Sequence, residues 1–305
     1  MGHYESDLEL FLFNSLIKQF AFNLENYMAF SFDHLARSNS IAVMGILNLS
    51  PDSFCSTNRF SNAEDVLHIA EKMINQGAHI LDVGAESTRP GSKNISVSLE
   101  LERLLPVISK LAKDFNIPIS VDTYKPDVAS AVLQEGAVVI NDVSGLGAGD
   151  EMAQIVSQHS AGIVVMHMQG TPETMQNNPR YGDVCSEVLN FLSQRVKFAE
   201  NAGIDSKSIA IDPGIGFGKT LGHNLELIAR LDQLKVLNKH ILLGASRKSF
   251  IGDILGLEPE ERLEGSLAAC VVGVINGADI LRVHDVGATT RAVRVTQAIK
   301  EANNT

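Results

Sequence analysis

Ile163-Val164-Val165-Met166, closed at once by His167, is the stretch on which the fold reading turns. An unbroken apolar run of this length, stopped by an ionisable residue, reads as a strand buried on both faces of a parallel sheet. The same punctuation recurs seven more times: Ile41–Leu47 before Asn48, Ile80–Val83 before Gly84-Ala85-Glu86, Ile117–Val121 before Asp122, Val138–Ile140 before Asn141, Ile209–Ile211 before Asp212, Ile241–Leu243 before Gly244-Ala245-Ser246-Arg247-Lys248, and Ile280–Leu281 before Arg282-Val283-His284. Helical apolar spacing fills the intervals, over 62–76, 98–114, 126–134, 149–159, 184–202, 224–233, 262–276 and 289–303. Strand–helix alternation with short links predicts parallel βαβ units. Eight strands with polar C-terminal ends predict an α/β protein built as one (β/α)8 TIM barrel, whose active site lies at the mouth formed by those ends. A doubly wound open sheet shares the alternation and is the competing architecture.

The chain's 305 residues exceed the roughly 250 of a typical barrel. The predicted division is an N-terminal extension, partly helical, over 1–38 and the barrel over 39–303. Within residues 1–27, Leu8, Leu10, Phe11, Phe13, Leu16, Ile17 and Phe20 are spaced for an amphipathic helix, packed on the barrel or a partner subunit in preference to a membrane surface. Hydrophobic content of 45% supports a sizeable core. A net charge of −11 without a basic tract argues against a nucleic-acid partner. No apolar run approaches the ~20 residues that span a bilayer, so no membrane partner is expected. Cys55, Cys185 and Cys270 form no CxxC pair and predict a reducing, cytoplasmic setting.

Gly214-Ile215-Gly216-Phe217-Gly218-Lys219-Thr220 invites a nucleotide-binding reading, which fails on spacing. Pro213 stands where a P-loop needs its first glycine, and Lys219 where a dinucleotide fingerprint needs its third. The loop instead lets backbone approach a flat ligand closely. Asp122, Asn141 and Asp212 close three strands. Each alone could be a helix cap or turn former. Together at one mouth they offer donors and acceptors that match an amino-pyrimidinone edge, such as guanine or a pterin. Alternation puts Arg282 and His284 on one side of the last strand, suited to a diphosphate or to a structural ion pair. Lys248 follows strand seven, where a Schiff-base role, hydrogen bonding to a heterocycle and a solvated surface position are the readings; Arg247 is a neighbouring charge able to depress its pKa. The loops 48–54 and 86–92 flank the mouth as lids.

These motifs, in this order, resemble dihydropteroate synthases over about 43–295: Met44-Gly45-Ile46-Leu47-Asn48-Leu49-Ser50-Pro51-Asp52-Ser53-Phe54, Asp82-Val83-Gly84-Ala85-Glu86-Ser87-Thr88-Arg89-Pro90-Gly91, Ser120-Val121-Asp122-Thr123, Ile140-Asn141-Asp142-Val143-Ser144, Met166-His167-Met168-Gln169-Gly170, Asp212-Pro213-Gly214, Gly216-Phe217-Gly218-Lys219, Ser246-Arg247-Lys248-Ser249 and Arg282-Val283-His284-Asp285. The resemblance implies a folate-pathway transferase that joins 6-hydroxymethyl-7,8-dihydropterin diphosphate to p-aminobenzoate and is a target of sulfonamides. It implies that Asp122, Asn141, Asp212 and Lys248 hold the pterin, with Met166 against its ring. Asn48, Arg282 and His284 would bind diphosphate, and Asn48 would also serve Mg²⁺. Thr88, Arg89, Pro90, Phe217, Lys248 and Ser249 would frame p-aminobenzoate. The implied catalytic set is Asp122, Asp212, Lys248, Arg282 and His284. It further implies an SN1-like path and a homodimer.

One departure stands out. Where the family continues Ser-Asp-Gly-Gly after Asp52-Ser53-Phe54, this chain has Cys55-Ser56-Thr57-Asn58, with Ser56 in place of a loop aspartate. Altered loop closure or slower turnover is the expected consequence. Two further functions share the barrel: a non-catalytic pterin-binding paralogue, and a methyltetrahydrofolate-dependent corrinoid methyltransferase. The latter has no use for a diphosphate site at Arg282 and His284.

Overall fold

Strand pairing runs β1 to β8 in sequence order and returns to β1, so the sheet closes on itself and the open-sheet alternative falls. In this computed structural model, residues 29–36, 40–49, 63–87, 91–92 and 94–302 are described. The strands are β1 Ala42–Asn48, β2 Ile80–Gly84, β3 Ile119–Asp122, β4 Val139–Asp142, β5 Gly162–Met166, β6 Ile209–Asp212, β7 His240–Leu243 and β8 Ile280–Val283. Every adjacent pair is parallel, including β1 with β8. Each strand was anticipated within two residues of its ends.

The helices are α1 Ala63–Asn75, α2 Val97–Asp114, α3 Pro126–Gln134, α4 Asp150–Gln158, α5 Val184–Asn201, α6 Leu221–Ala229, α7 Ser249–Leu255, α8 Leu263–Ile275 and α9 Val286–Ala302. Three of these helices start on side-chain caps. The Ser96 hydroxyl accepts from the backbone of Leu99 at α2, and Asp183 accepts from Ser186 at α5. Thr220 and His223 exchange bonds at α6, so that helix begins three residues before the expected 224. It stops at Ala229, and a 3-10 segment over Leu231–Leu237 takes the place of its expected last turn. The seven-residue α7 was not anticipated, being too short for helical periodicity to register.

Side-chain alternation explains the mouth. One apolar layer inside the barrel contains Met44, Ile80, Val139, Val164, Ala210, Leu242 and Ile280. Two residues further along each strand, on the same face, stand Ile46, Asp82, Asn141, Met166, Asp212, Gly244 and Arg282. Odd-face neighbours such as Val43, Leu81, Val121, Ile163, Ile211 and Leu281 pack outward under the helices. The barrel interior therefore turns from apolar to polar toward the C-terminal ends of its strands.

The opposite end is sealed by part of the predicted extension. Phe32 is fully buried in the inner cluster beside Ala42, Met44 and Ile280. Phe30 donates its N–H to the Ser160 carbonyl at 2.9 Å, and its ring lies where a Cβ on Gly162 would fall, at 2.4 Å. Residues 29–36 thus form the floor of the barrel. The amphipathic helix expected over residues 1–27 lies outside the described residues. No helix among the described residues is long and apolar enough to cross a membrane.

Candidate active site

Register brings the polar strand ends level with one another. Asn48 pairs with Gly84, Gly84 with Asp122, Asp122 with Asn141, and Met166 with Asp212. A Cβ built on Gly84 would lie 3.4 Å from Asp122 Cβ and 3.7 Å from Asn48 Oδ1. One on Gly244 would lie 3.8 Å from Lys248 Nζ, 3.9 Å from Asp212 Oδ2 and 4.0 Å from Arg282 Cβ. The ends of all eight strands therefore meet at one rim, and two glycines, Gly84 and Gly244, stand among the polar side chains.

Arg282 ties the rim together. Its Nε donates to Asp82 Oδ2 at 2.6 Å and its Nη2 to Asp122 Oδ2 at 2.9 Å. Asp82 is wholly buried and also accepts from Ser120 Oγ at 2.6 Å and Asn141 Nδ2 at 3.2 Å. The ion-pair and mouth-facing readings of Arg282 thus both hold: it is paired yet still 19% exposed toward the opening. Asp82 was missed because it was counted inside an apolar run. Its signal was the alternation itself, two residues beyond Ile80 on the inward face.

Asp122 is the least satisfied group. Its Oδ1 is buried and has no hydrogen-bond partner among the described residues. Burial pushes its carboxyl up to about 7 against the pull of Arg282, with Asp82 adding repulsion. Burial also raises Asp212, opposed by Lys248 and by the Gly214 N–H, which donates to Asp212 Oδ1 at 2.7 Å. Met166, 2% exposed, lies beside it in register.

Lys248 leans inward. Its Nζ donates to the Ile215 carbonyl and stands 4.6 Å above the centre of the half-buried Phe217 ring. Burial lowers its pKa to about 8; Arg282 helps, while Asp212 and Asp122 oppose. The cationic neighbour is therefore Arg282 and not Arg247. The latter turns away to grip Asp285, Nε to Oδ2 at 2.8 Å and Nη2 to Oδ1 at 2.7 Å. Ser249 opens α7 in an exposed position next to Lys248. His284 Nδ1 lies 3.0 Å from Ser246 Oγ, which also accepts the His284 N–H at 3.2 Å. Asp122, Asn141, Met166, Asp212, Phe217, Lys248, Arg282, His284 and Asn48 are thus brought to one end of the barrel. Thr88, Arg89, Pro90 and Ser56 lie outside the described residues.

Beside the loop that starts at Glu86 lies a second buried network. Lys125 Nζ donates to Glu86 Oε2 at 2.5 Å, Glu100 Oε2 at 2.6 Å and the Ile95 carbonyl at 2.7 Å. The Tyr124 hydroxyl donates to Glu86 Oε1 at 2.8 Å. Neither Lys125 nor Glu100 had been singled out, since both sit in ordinary loop and helix positions.

A closed barrel that gathers Asp122, Asn141, Asp212, Lys248 and Arg282 at the C-terminal ends of its strands defines a class, and comparison with known proteins names it. The family model described as pterin binding enzyme matches residues 44–284. The chain is 45% identical to the dihydropteroate synthase of Synechocystis over 258 residues, 84% of this chain and 89% of that one. The Yersinia pestis dihydropteroate synthase, solved as a sulfonamide drug complex, superposes with a TM-score of 0.84 at 37% identity, covering 87% of this chain and 98% of the other. That of Xanthomonas albilineans, solved with 4-aminobenzoic acid, gives 0.79 at 42% identity, covering 86% and 93%. The chain belongs to the pterin-binding enzymes. Within them it is a member of the dihydropteroate synthase family, a family of transferases.

Proposed function

We propose that this chain condenses 6-hydroxymethyl-7,8-dihydropterin diphosphate with p-aminobenzoate, releasing diphosphate and forming 7,8-dihydropteroate for folate synthesis. The observation that carries the reading is the buried Oδ1 of Asp122, unpartnered among the described residues, set level with Asn141 and beside the Arg282 guanidinium. A buried acceptor without a donor costs free energy that a ligand N–H would recover. Asp122, Asn141 and Asp212 supply the polar edge for the pterin, and Met166 its apolar floor. Lys248, between Asp212 and the Phe217 ring, borders both substrates. Thr88, Arg89, Pro90 and Ser249 complete the p-aminobenzoate side in this reading.

The chemistry follows from charge. Breaking the C–O bond first leaves a cationic pterin and a diphosphate anion. Arg282 and His284 stabilise the leaving charge as it grows, and the carboxylate of Asp212 favours the cationic ring. No covalent enzyme intermediate is needed; the arylamine must only be aligned. Asn48 Oδ1 at the rim is the kind of hard oxygen ligand that suits Mg²⁺, a cation that usually shares its shell between few protein ligands, phosphates and water. When bound, Mg²⁺ would supply further neutralisation of the diphosphate.

The assembly we propose is a homodimer, joined where Leu225, Ile254, Leu255, Val272, Ile275 and Val295 expose apolar surface on α6 to α9. Two buried free thiols, Cys185 and Cys270, accord with the proposed cytoplasmic setting. The test is diphosphate release that requires both p-aminobenzoate and Mg²⁺ and is suppressed by a sulfonamide. Sustained turnover without p-aminobenzoate, or no diphosphate release with both substrates, would overturn the reading. The paralogue and methyltransferase readings gain no specific support from this site.

A further inference from the structure

Lys219 is a buried lysine, 3% exposed, for which the mechanism above has no use. Its Nζ lies 3.0 Å from His167 Nδ1, 3.3 Å from the His167 carbonyl and 2.9 Å from the Phe217 carbonyl. Three acceptors suit the three N–H groups of an ammonium, while burial lowers the Lys219 pKa to about 7, with Asp212 opposing the fall and Lys248 adding to it. Burial and the nearby Lys219 hold His167 far down, at about 3, so its ring is neutral and Nδ1 can accept. No carboxylate is hydrogen-bonded to Lys219 among the described residues. Burying a cation on neutral partners is costly.

What the lysine holds is the glycine loop after β6. Gly214 and Gly218 have φ of +70° and +62°, and a Cβ on them would fall 1.9 Å from the His167 carbonyl oxygen and 2.6 Å from that of Gln169. The loop is pressed against the chain leaving β5, where only glycine fits. Its peptide groups are then tied down on both sides of Phe217. The Gly216 N–H donates to Asn224 Oδ1 at 2.7 Å, and the Gly218 carbonyl accepts from the Tyr181 hydroxyl at 2.8 Å. Lys219 takes the Phe217 carbonyl between them. That carbonyl belongs to the residue whose ring lies under Lys248.

We propose that Lys219, braced by His167, is a positioning residue for the arylamine subsite: by gripping the Phe217 carbonyl it fixes the Phe217 ring as one wall of that subsite. The inference rests on the function proposed above. Lys219 touches neither substrate in this scheme and acts through Phe217.

Steady-state kinetics with each substrate varied separately tests it. Lys219→Met is expected to raise KM for p-aminobenzoate about tenfold, the scale of one lost charged hydrogen bond. KM for the pterin diphosphate should stay within about threefold. His167→Leu should shift KM for p-aminobenzoate the same way. His167→Asn, which keeps an acceptor near Nδ1, should recover part of the loss. Parallel changes in both KM values, or none in either, would overturn the proposal. Should Lys219→Met not accumulate as folded protein, the His167 pair decides: equal p-aminobenzoate KM values for the Leu and Asn variants would overturn it. An inactive wild-type chain would instead strike the functional reading, whereas an active one with an unmoved Lys219→Met strikes this inference alone.

Discussion

Arg282→Met removes the cation bonded to both Asp82 and Asp122, and its cost should depend on pH. Asp82 would keep Ser120 Oγ and Asn141 Nδ2 as donors. Among the described residues Asp122 would keep none, since its Oδ1 already lacks a partner there and its Oδ2 depends on Arg282. Leaving a buried charge unpaired costs about 3–5 kcal/mol. Asp122 can escape that cost by taking up a proton. Its folded value is about 7 against 3.8 for a free aspartate, so folding binds a proton between those limits and stability falls as pH rises from about 4 to about 7. Without Arg282, which pulls that value down, the decline should extend to higher pH. The variant should therefore lose about 1–2 kcal/mol at pH 5, where Asp122 is neutral in both folded forms, and about 3–5 kcal/mol at pH 8.5. The chain has no tryptophan, so urea unfolding followed by far-UV circular dichroism is the assay, with linear extrapolation to water. An equal loss at both pH values, or under about 1 kcal/mol at pH 8.5, would refute the reasoning.

Other outcomes follow from the same geometry. Lys125→Met strands Glu86 and Glu100, 5% and 1% exposed, and should lower the midpoint of thermal unfolding by about 10 °C in a calorimetric scan; a drop below about 2 °C would contradict a buried triad. Phe32→Ala should cost about 3–5 kcal/mol in urea unfolding and leave KM for both substrates unchanged, because Phe32 lies at the floor and not the mouth. Ile254→Glu combined with Val295→Glu should convert a dimer to a monomer in sedimentation velocity, and an unchanged dimer would move the interface elsewhere. Ser56→Asp, restoring the family's loop acid, should raise turnover; unchanged rate and p-aminobenzoate affinity would count against a role for that position.

Much of this was legible in the residues. The eight strands stood out because parallel strands buried on both faces leave unbroken apolar runs, and their polar stops became Asp122, Asn141, Asp212 and Arg282 at the rim. Asp82 escaped because a single acid inside such a run looks like an interruption, although its inward partners are Arg282, Ser120 and Asn141. The partner of Arg247 could not be read from proximity to Lys248, since its left-handed backbone, φ +57°, turns it toward Asp285. Phe30 and Phe32 were assigned to an extension because nothing in their sequence reveals the barrel floor they fill. Lys219 stands in the sequence as the residue that spoils a nucleotide motif and as the end of the motif Gly216-Phe217-Gly218-Lys219, without a role of its own. Its three acceptors come from His167 and the peptide of Phe217, a meeting that depends on β5 and β6 lying side by side.

The most direct measurement is calorimetric titration of the chain with 6-hydroxymethylpterin, comparing wild type with Asp122→Asn and Asp212→Asn. One site per chain, weakened at least tenfold by either substitution, is the predicted result, since each removes an acceptor from the ring pocket. No binding by wild type, or binding indifferent to both substitutions, would contradict the assignment of the barrel mouth to the pterin.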